Sequence, residues 1–347
     1  MNRSMKKLNI VLSLIFFTFF ISPQSVFAQE KSVKELLKKI TEAELRSSYQ
    51  GERFIFNFYT PNPNVIRYQI IRIRPGLEKK VLKTLDNKDE RIILKDGKNL
   101  WEYIPSEKRV IKRSVDPLAD RAYTLFKNID LLKKNYSIKI IDDDIKIADR
   151  KSTLVELAPK NNEKRVRYKI WIDKERGIGL KTEIYSPENK LITLSFYSKI
   201  DFTPPHDMNK FVLRVPKNTS LHAIKEKRNL AMVSVESLVD FRVQLPKILP
   251  KGFVLTGGRV KTLKTTKELH VHYSDGLSGI SLFENSSGKM YTRNNTPLRP
   301  VDINGNMGNF YKVGLVRLLE WQSKGITIAL VGELEEEEFL KIARSIE

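Results

Sequence analysis

The feature that most constrains this chain is a hydrophobic period of two that returns repeatedly between residues 53 and 200. Phe54, Phe56 and Phe58 alternate with Arg53, Ile55 and Asn57, and Val166, Tyr168, Ile170 and Ile172 alternate with Arg165, Arg167, Lys169 and Trp171. Ile192, Leu194, Phe196, Ser198 and Ile200 repeat the pattern. Successive side chains of a strand point to opposite faces, so each stretch reads as a strand with one buried or ligand-facing side and one wet side. Turn signals fall between them: Pro61 to Asn64, Asp96-Gly97, Pro105 to Glu107, Asn161-Asn162 and Ser186 to Asn189. Strands joined by short turns form a meander, and a long meander twists and curls. The expected fold is therefore mainly β within the α+β class: a curved antiparallel half-barrel sheet with a few helices, followed by a small C-terminal α+β domain. A change of phase at Ile70-Ile71 in "VIRYQIIRIRP" predicts a bulge.

Helical signals are few. Ser32 to Glu35 fits a capping box, and Val33, Leu36, Leu37 and Ile40 follow at helical spacing, predicting a helix over about 32 to 47. "LADRAYTLFKNIDLL" before Lys133 has the same spacing. From Thr203 onward prolines, asparagines and lysines break every period, which places a linker at 205–225. Short strands and glycine-rich turns then lead to a closing helix with Phe339, Ile342, Ala343 and Ile346 on one face. Its glutamates 335 to 338 precede Lys341 and Arg344, the order that the helix dipole favours.

The first residues carry Arg3, Lys6 and Lys7, an apolar run from Ile10 to Ile21 and a small-residue junction at Ala28. These are the parts of a secretory leader, predicted as residues 1–28. The expected organisation is then a sheet domain at 29–204, the linker at 205–225 and a second domain at 226–347, working outside the cytoplasm. The leader removes three of the 21 net positive charges and leaves +18, mostly on the sheet domain. For an exported chain that surplus points to anionic lipid head groups or an acidic protein rather than to nucleic acid.

Catalytic and metal motifs are weak. His270 and His272 sit two apart in "HVHYSDGLSGISLFE" and would share one strand face, but the chain has no cysteine and no further ligand at a defined spacing. Ser274-Asp275-Gly276 reads first as a turn, since no nucleophile elbow is present. No phosphate loop or dinucleotide fingerprint occurs, so no cofactor, metal or catalytic residue is expected. What the sheet domain offers instead is apolar area. Phe54, Phe56, Phe58, Tyr68, Trp101, Tyr103, Trp171 and Phe196 are candidate lining for a lipid-sized concavity, and Tyr59 and Tyr185 add to the same aromatic area.

Specific words of the sequence carry a resemblance. "SSYQGERFIF", "DGKNLWEYIPSEKRVIK" and "WIDKERGIGLKTEIYSPENKLITLSFYSKIDF" are similar to the carrier-like first domain of RseB/MucB proteins. The second and third also resemble the single-domain LolA lipoprotein carriers. "LPKGF", "HVHYSDGLSGISLFE" and "WQSKGITIALVGELEEEEFLKIA" resemble the C-terminal domain of RseB/MucB. The resemblance implies a non-enzymatic periplasmic regulator of an envelope-stress sigma factor. Such a protein binds the periplasmic part of a membrane anti-sigma factor and responds to lipids, mislocalised lipoproteins or lipopolysaccharide. A LolA-type lipid or lipoprotein carrier is the alternative. On the regulator reading His272, Tyr273, Asp275 and Leu277 are the expected partner contacts.

Overall fold

The computed structural model describes residues 23–58, 64–74, 76–84, 90–114, 129–161, 163–230, 235–263, 266–288, 290–291, 298–313 and 316–346. The leader up to residue 22, Tyr59, Pro61 to Pro63, Asn162 and most of the helix expected before Lys133 lie outside them. Helix α1 (Pro23–Arg46) begins upstream of the expected start and includes the last residues of the predicted leader. Strands β1 (Tyr49–Asn57), β2 (Asn64–Ile73), β3 (Leu77–Thr84), β4 (Glu90–Asp96), β5 (Asn99–Ile104) and β6 (Arg109–Ser114) form a continuous antiparallel meander. A short helix α2 (Ile129–Asn135) leads into β7 (Tyr136–Ile147), β8 (Arg150–Pro159), β9 (Arg167–Asp173), β10 (Gly179–Tyr185) and β11 (Leu191–Asp201). These strands also pair in chain order, and β11 returns beside β1.

The segment expected as a linker is built into the structure. Phe211, in a short 3-10 turn at Met208–Phe211, packs against Ile73 and Leu94. Strand β12 (Ser220–Leu230) then runs parallel to β6 through Ser220–Ile224, and from Lys225 it pairs antiparallel with β13 (Val254–Leu263). The partner change falls between Ile224 and Lys225, so one strand belongs to both sheets. Its hydrogen bonds run to β6, distant in sequence, which is why local period gave no warning of it.

The second sheet continues through β14 (Thr266–Ser274), β15 (Gly279–Asn285), β19 (Ile326–Gly332), β18 (Val316–Ser323), β17 (Asn306–Val313) and β16 (Arg299–Ile303). Helix α3 (Glu336–Arg344) closes it and buries Phe339, Ile342 and Ala343. The first sheet runs from β12 to β7 and stays open among the described residues. The architecture is thus mostly β, with open antiparallel sheets and few helices, as expected.

Helix α1 decides which side of the first sheet is which. Its Val33, Leu37 and Ile40 pack on Val155, Leu157 and Ile172, and Ala43 packs with Tyr49, Ile70, Ile178 and Tyr197. Ile70 therefore faces the helix, while its neighbour Ile71 joins Phe211 on the other side. The expected bulge at Ile70-Ile71 is absent: β2 keeps an unbroken register with β1 and β3 there. Two adjacent apolar residues mark a strand covered on both faces rather than a phase change. The bulge in this region lies at Glu52/Arg53, between β1 and β11.

Candidate functional site

Residues 270–284 form strand, turn and strand, and the turn points into the seam between the two sheets. Asp275 shapes the turn by accepting from the backbone N–H groups of Leu277 (3.0 Å) and Ser278 (2.8 Å) on Oδ1. Its Oδ2 accepts from Arg165 Nη1 and from the Tyr136 hydroxyl, both at 2.8 Å. Asp275 is 0% exposed, Tyr136 1% and Arg165 5%, so this is a buried ion pair with a phenol completing it. Burial and the adjacent carboxylate push the Tyr136 phenol well above its ordinary pKa. Arg165 also lies over the Phe253 ring, 5.0 Å from its centre.

Asn135, at the end of α2, ties down two loops of the second domain. Its Nδ2 donates to the carbonyls of Asp275 (2.8 Å) and Gly252 (3.1 Å). Gly276 has φ +102°, and a Cβ there would sit 2.6 Å from the Leu132 nitrogen. Only glycine allows the turn to approach α2 so closely. Leu277 meanwhile packs into the cluster beneath α1. The "LPKGF" and "YSDGL" words that carry the resemblance in the second half are therefore the points where the second domain clasps the first. The first-domain side of this latch, Asn135, Tyr136 and Arg165, has no motif around it and was not legible in the sequence.

Of the four expected partner contacts, Tyr273, Asp275 and Leu277 are thus turned inward. Tyr273 is 3% exposed in the second-domain core. His272 Nδ1 lies 2.7 Å from Thr256 Oγ1. His270 stacks on Phe283 with ring centres 4.2 Å apart. Burial and the nearby Arg259 charge push His270 down to about 3, so its imidazole is neutral at physiological pH. Among the described residues no three His, Asp or Glu side chains gather as a metal site would require.

The strand registers place Phe54, Phe56, Trp101, Tyr103, Trp171 and Phe196 on the face away from α1, and Tyr68 on the α1 face. Phe58, just past β1, stacks on Phe56. The eight candidates for a lipid site are therefore not one lining. Trp101 packs with the Phe211 cluster, Trp171 is buried beneath the Lys181 ammonium, and Tyr103 is buried too. Four rings remain together: Phe196 with Phe54 at 5.8 Å and with Phe56 at 6.0 Å, and Phe56 with Phe58 at 6.3 Å. Beside them lies a cavity of about 560 Å³ lined by Glu52, Ile71, Lys79, Val81, Lys199 and Lys210 among others.

The α1 face has another character where β2 to β6 continue beyond the helix. Glu78 gathers Arg72 (2.5 Å), Lys80 (3.0 Å) and Lys95 (3.4 Å), and Glu102 stands between Arg91 and Arg113. These cations hold the Glu78 carboxyl far below the usual range against the cost of its burial. Ile66, Tyr68, Leu82, Ile93, Leu100 and Ile111, none of them fully buried, share this face with the charges.

Comparisons with known proteins agree with this architecture. The family model described as the MucB/RseB N-terminal domain matches residues 32–215, and one described as a domain of unknown function, DUF4367, matches 244–346. The sigma-E factor regulatory protein RseB of Haemophilus influenzae is 24% identical over 294 residues, which cover 84% of this chain and 88% of that protein. Among solved structures, the MucA/MucB complex of Pseudomonas aeruginosa aligns with a TM-score of 0.58 at 16% identity, over 91% of this chain and 98% of the matched one. MucB in complex with MucA(peri) aligns with a TM-score of 0.56 at 15% identity, over 90% and 98%. Fold and seam define a protein of two open β-sheets clasped at one joint. The chain belongs to the MucB/RseB family.

Proposed function

We propose that this chain is a non-enzymatic regulator in the periplasm, where it binds the periplasmic segment of a membrane anti-sigma factor and so sets the output of an envelope-stress sigma factor. The observation that carries the reading is the family match across residues 32–215. The H. influenzae relative is a sigma-E regulatory protein, and the similar MucB structures were solved with MucA. No described helix is long and apolar enough to cross a membrane, which fits a regulator that reaches its partner from the aqueous side.

The latch supplies a mechanism. A partner that touches both domains favours the clasped arrangement, and a ligand on the sheet domain that favours another arrangement weakens the partner's hold by the same free energy. The sensed ligand on this reading is a lipid or lipoprotein acyl chain, and the four stacked phenylalanines are its apolar surface. A carrier of the LolA type needs one sheet domain and no clasp, so the second domain favours the regulator.

Capture of the tagged chain from envelope extracts tests the proposal. A membrane-embedded anti-sigma factor in the eluate is the expected result. A collection of lipoproteins without such a factor would establish the carrier instead.

A further inference from the structure

We infer that the face of the first sheet opposite α1 docks on the surface of an anionic bilayer. This deepens the lipid reading of the phenylalanine ladder and rests on it, but it names a membrane surface rather than single lipid molecules as the occupant. The strand register carries the argument. One row across the sheet runs Lys181, Phe196, Phe54, Arg67 and Lys83, so two stacked rings are bracketed by cations on both sides. The next row places Leu194, Phe56 and Val65 side by side, and Phe58 continues the stack at 39% exposure. None of the described helices packs on this strip.

Charge continues along the same face. Glu183 and Glu52 hold Lys181 and Arg67 beside the rings, at 2.8 Å and 2.6 Å. Toward the start of β1 the exposed Lys199 and Lys210 add positive charge around the adjoining cavity, which Lys79 also lines. Aromatic rings that enter the head-group layer, framed by lysine and arginine that meet anionic lipid, are the two signals that together anchor a peripheral protein. Each such cation contributes roughly fivefold near an anionic leaflet, and salt screens it. A neutral or basic protein surface would find no use for that frame.

The chain has no cysteine, so a single introduced thiol can carry a dye that reports its surroundings. In the chain from Gln29 onward, a dye on Phe58→Cys should shift to the blue with vesicles of phosphatidylglycerol and phosphatidylethanolamine, and much less with phosphatidylcholine alone. A dye on Met307→Cys, 70% exposed in the second domain, should not shift. K199E/K210E should weaken sedimentation with the anionic vesicles at least tenfold, as should Phe58→Ser, whose exposed position leaves folding intact. The inference is overturned if both dyes shift alike, if neither does, or if the Phe58 dye shifts with protein concentration alone, which would mark a second copy of the chain. A shift with a soluble short-chain lipid but no vesicle binding would also overturn it while leaving the lipid reading standing.

Discussion

The two domains are held together in different ways. In the second, the buried apolar residues form one contiguous cluster that runs from Val235 to Ile346 and joins one face of its sheet to α3. In the first, a longer chain has three separate clusters, under α1, around Tyr49 and around Phe211, and between them lie buried charges such as Arg72 and Glu78. A single close-packed core has two states, folded and unfolded, and deforms little. A sheet padded in patches has more ways to move at low cost. The difference makes the second domain the rigid block and the first the responsive one, with the Asp275 latch as the joint that transmits a change between them.

That contrast can be broken at its joint first. Asp275→Ala leaves the Arg165 guanidinium buried without its carboxylate and should cost about 3–5 kcal/mol. Urea unfolding followed by tryptophan fluorescence should then split into two steps, because Trp101 and Trp171 belong to the first domain and Trp321 to the second. A single step at the unaltered midpoint would remove the latch from the account. Next comes the rigid block itself. Leu282 is 0% exposed, and Leu282→Ala should cost about 3 kcal/mol and move the Trp321 transition.

A pH titration sharpens the comparison further. Glu284 is buried in the second core with the Gln244 N–H donating to it at 3.0 Å, and burial pushes its carboxyl up to about 8. The folded state therefore holds a proton that the unfolded chain has released above its ordinary 4.5. Stability from this group is full at acid pH and is lost as pH rises toward 8. His270, lowered by burial, acts in the opposite sense, but only below its ordinary 6.5. Between pH 6.5 and 8 the Glu284 effect stands clear and should amount to about 2 kcal/mol. Glu284→Gln should flatten that slope, and an unchanged slope would show the carboxylate to be ionised in the fold. The smallest effect is expected at Phe58→Ser, within about 0.5 kcal/mol of the native stability, since that ring is 39% exposed.

The strands were legible because alternation is a local property, and the aromatic ladder was legible for the same reason. Which side of the sheet the ladder occupies was not, because α1 chooses the side through residues such as Ala43 that carry no label of their own. Ile70-Ile71 misled because two adjacent apolar residues read as a slipped register when each face has its own cover. Strand β12 was hidden by its partner β6, more than a hundred residues earlier. The turn that holds Asp275 and Leu277 was legible from Ser274-Asp275-Gly276, but its packing against the first domain was not. Arg165 and Tyr136, which meet Asp275, lie 110 and 139 residues from it, and no spacing rule reaches that far.

The central claim is that Arg165 and Asp275 bind the two domains into one unit. A double-mutant cycle with Arg165→Met, Asp275→Asn and the pair, read by urea unfolding, measures that link directly. A coupling of about 2 kcal/mol or more is predicted for a buried, hydrogen-bonded ion pair. Additive losses, agreeing within about 0.5 kcal/mol, would show that the two residues do not act on each other and that this ion pair is not what binds the domains.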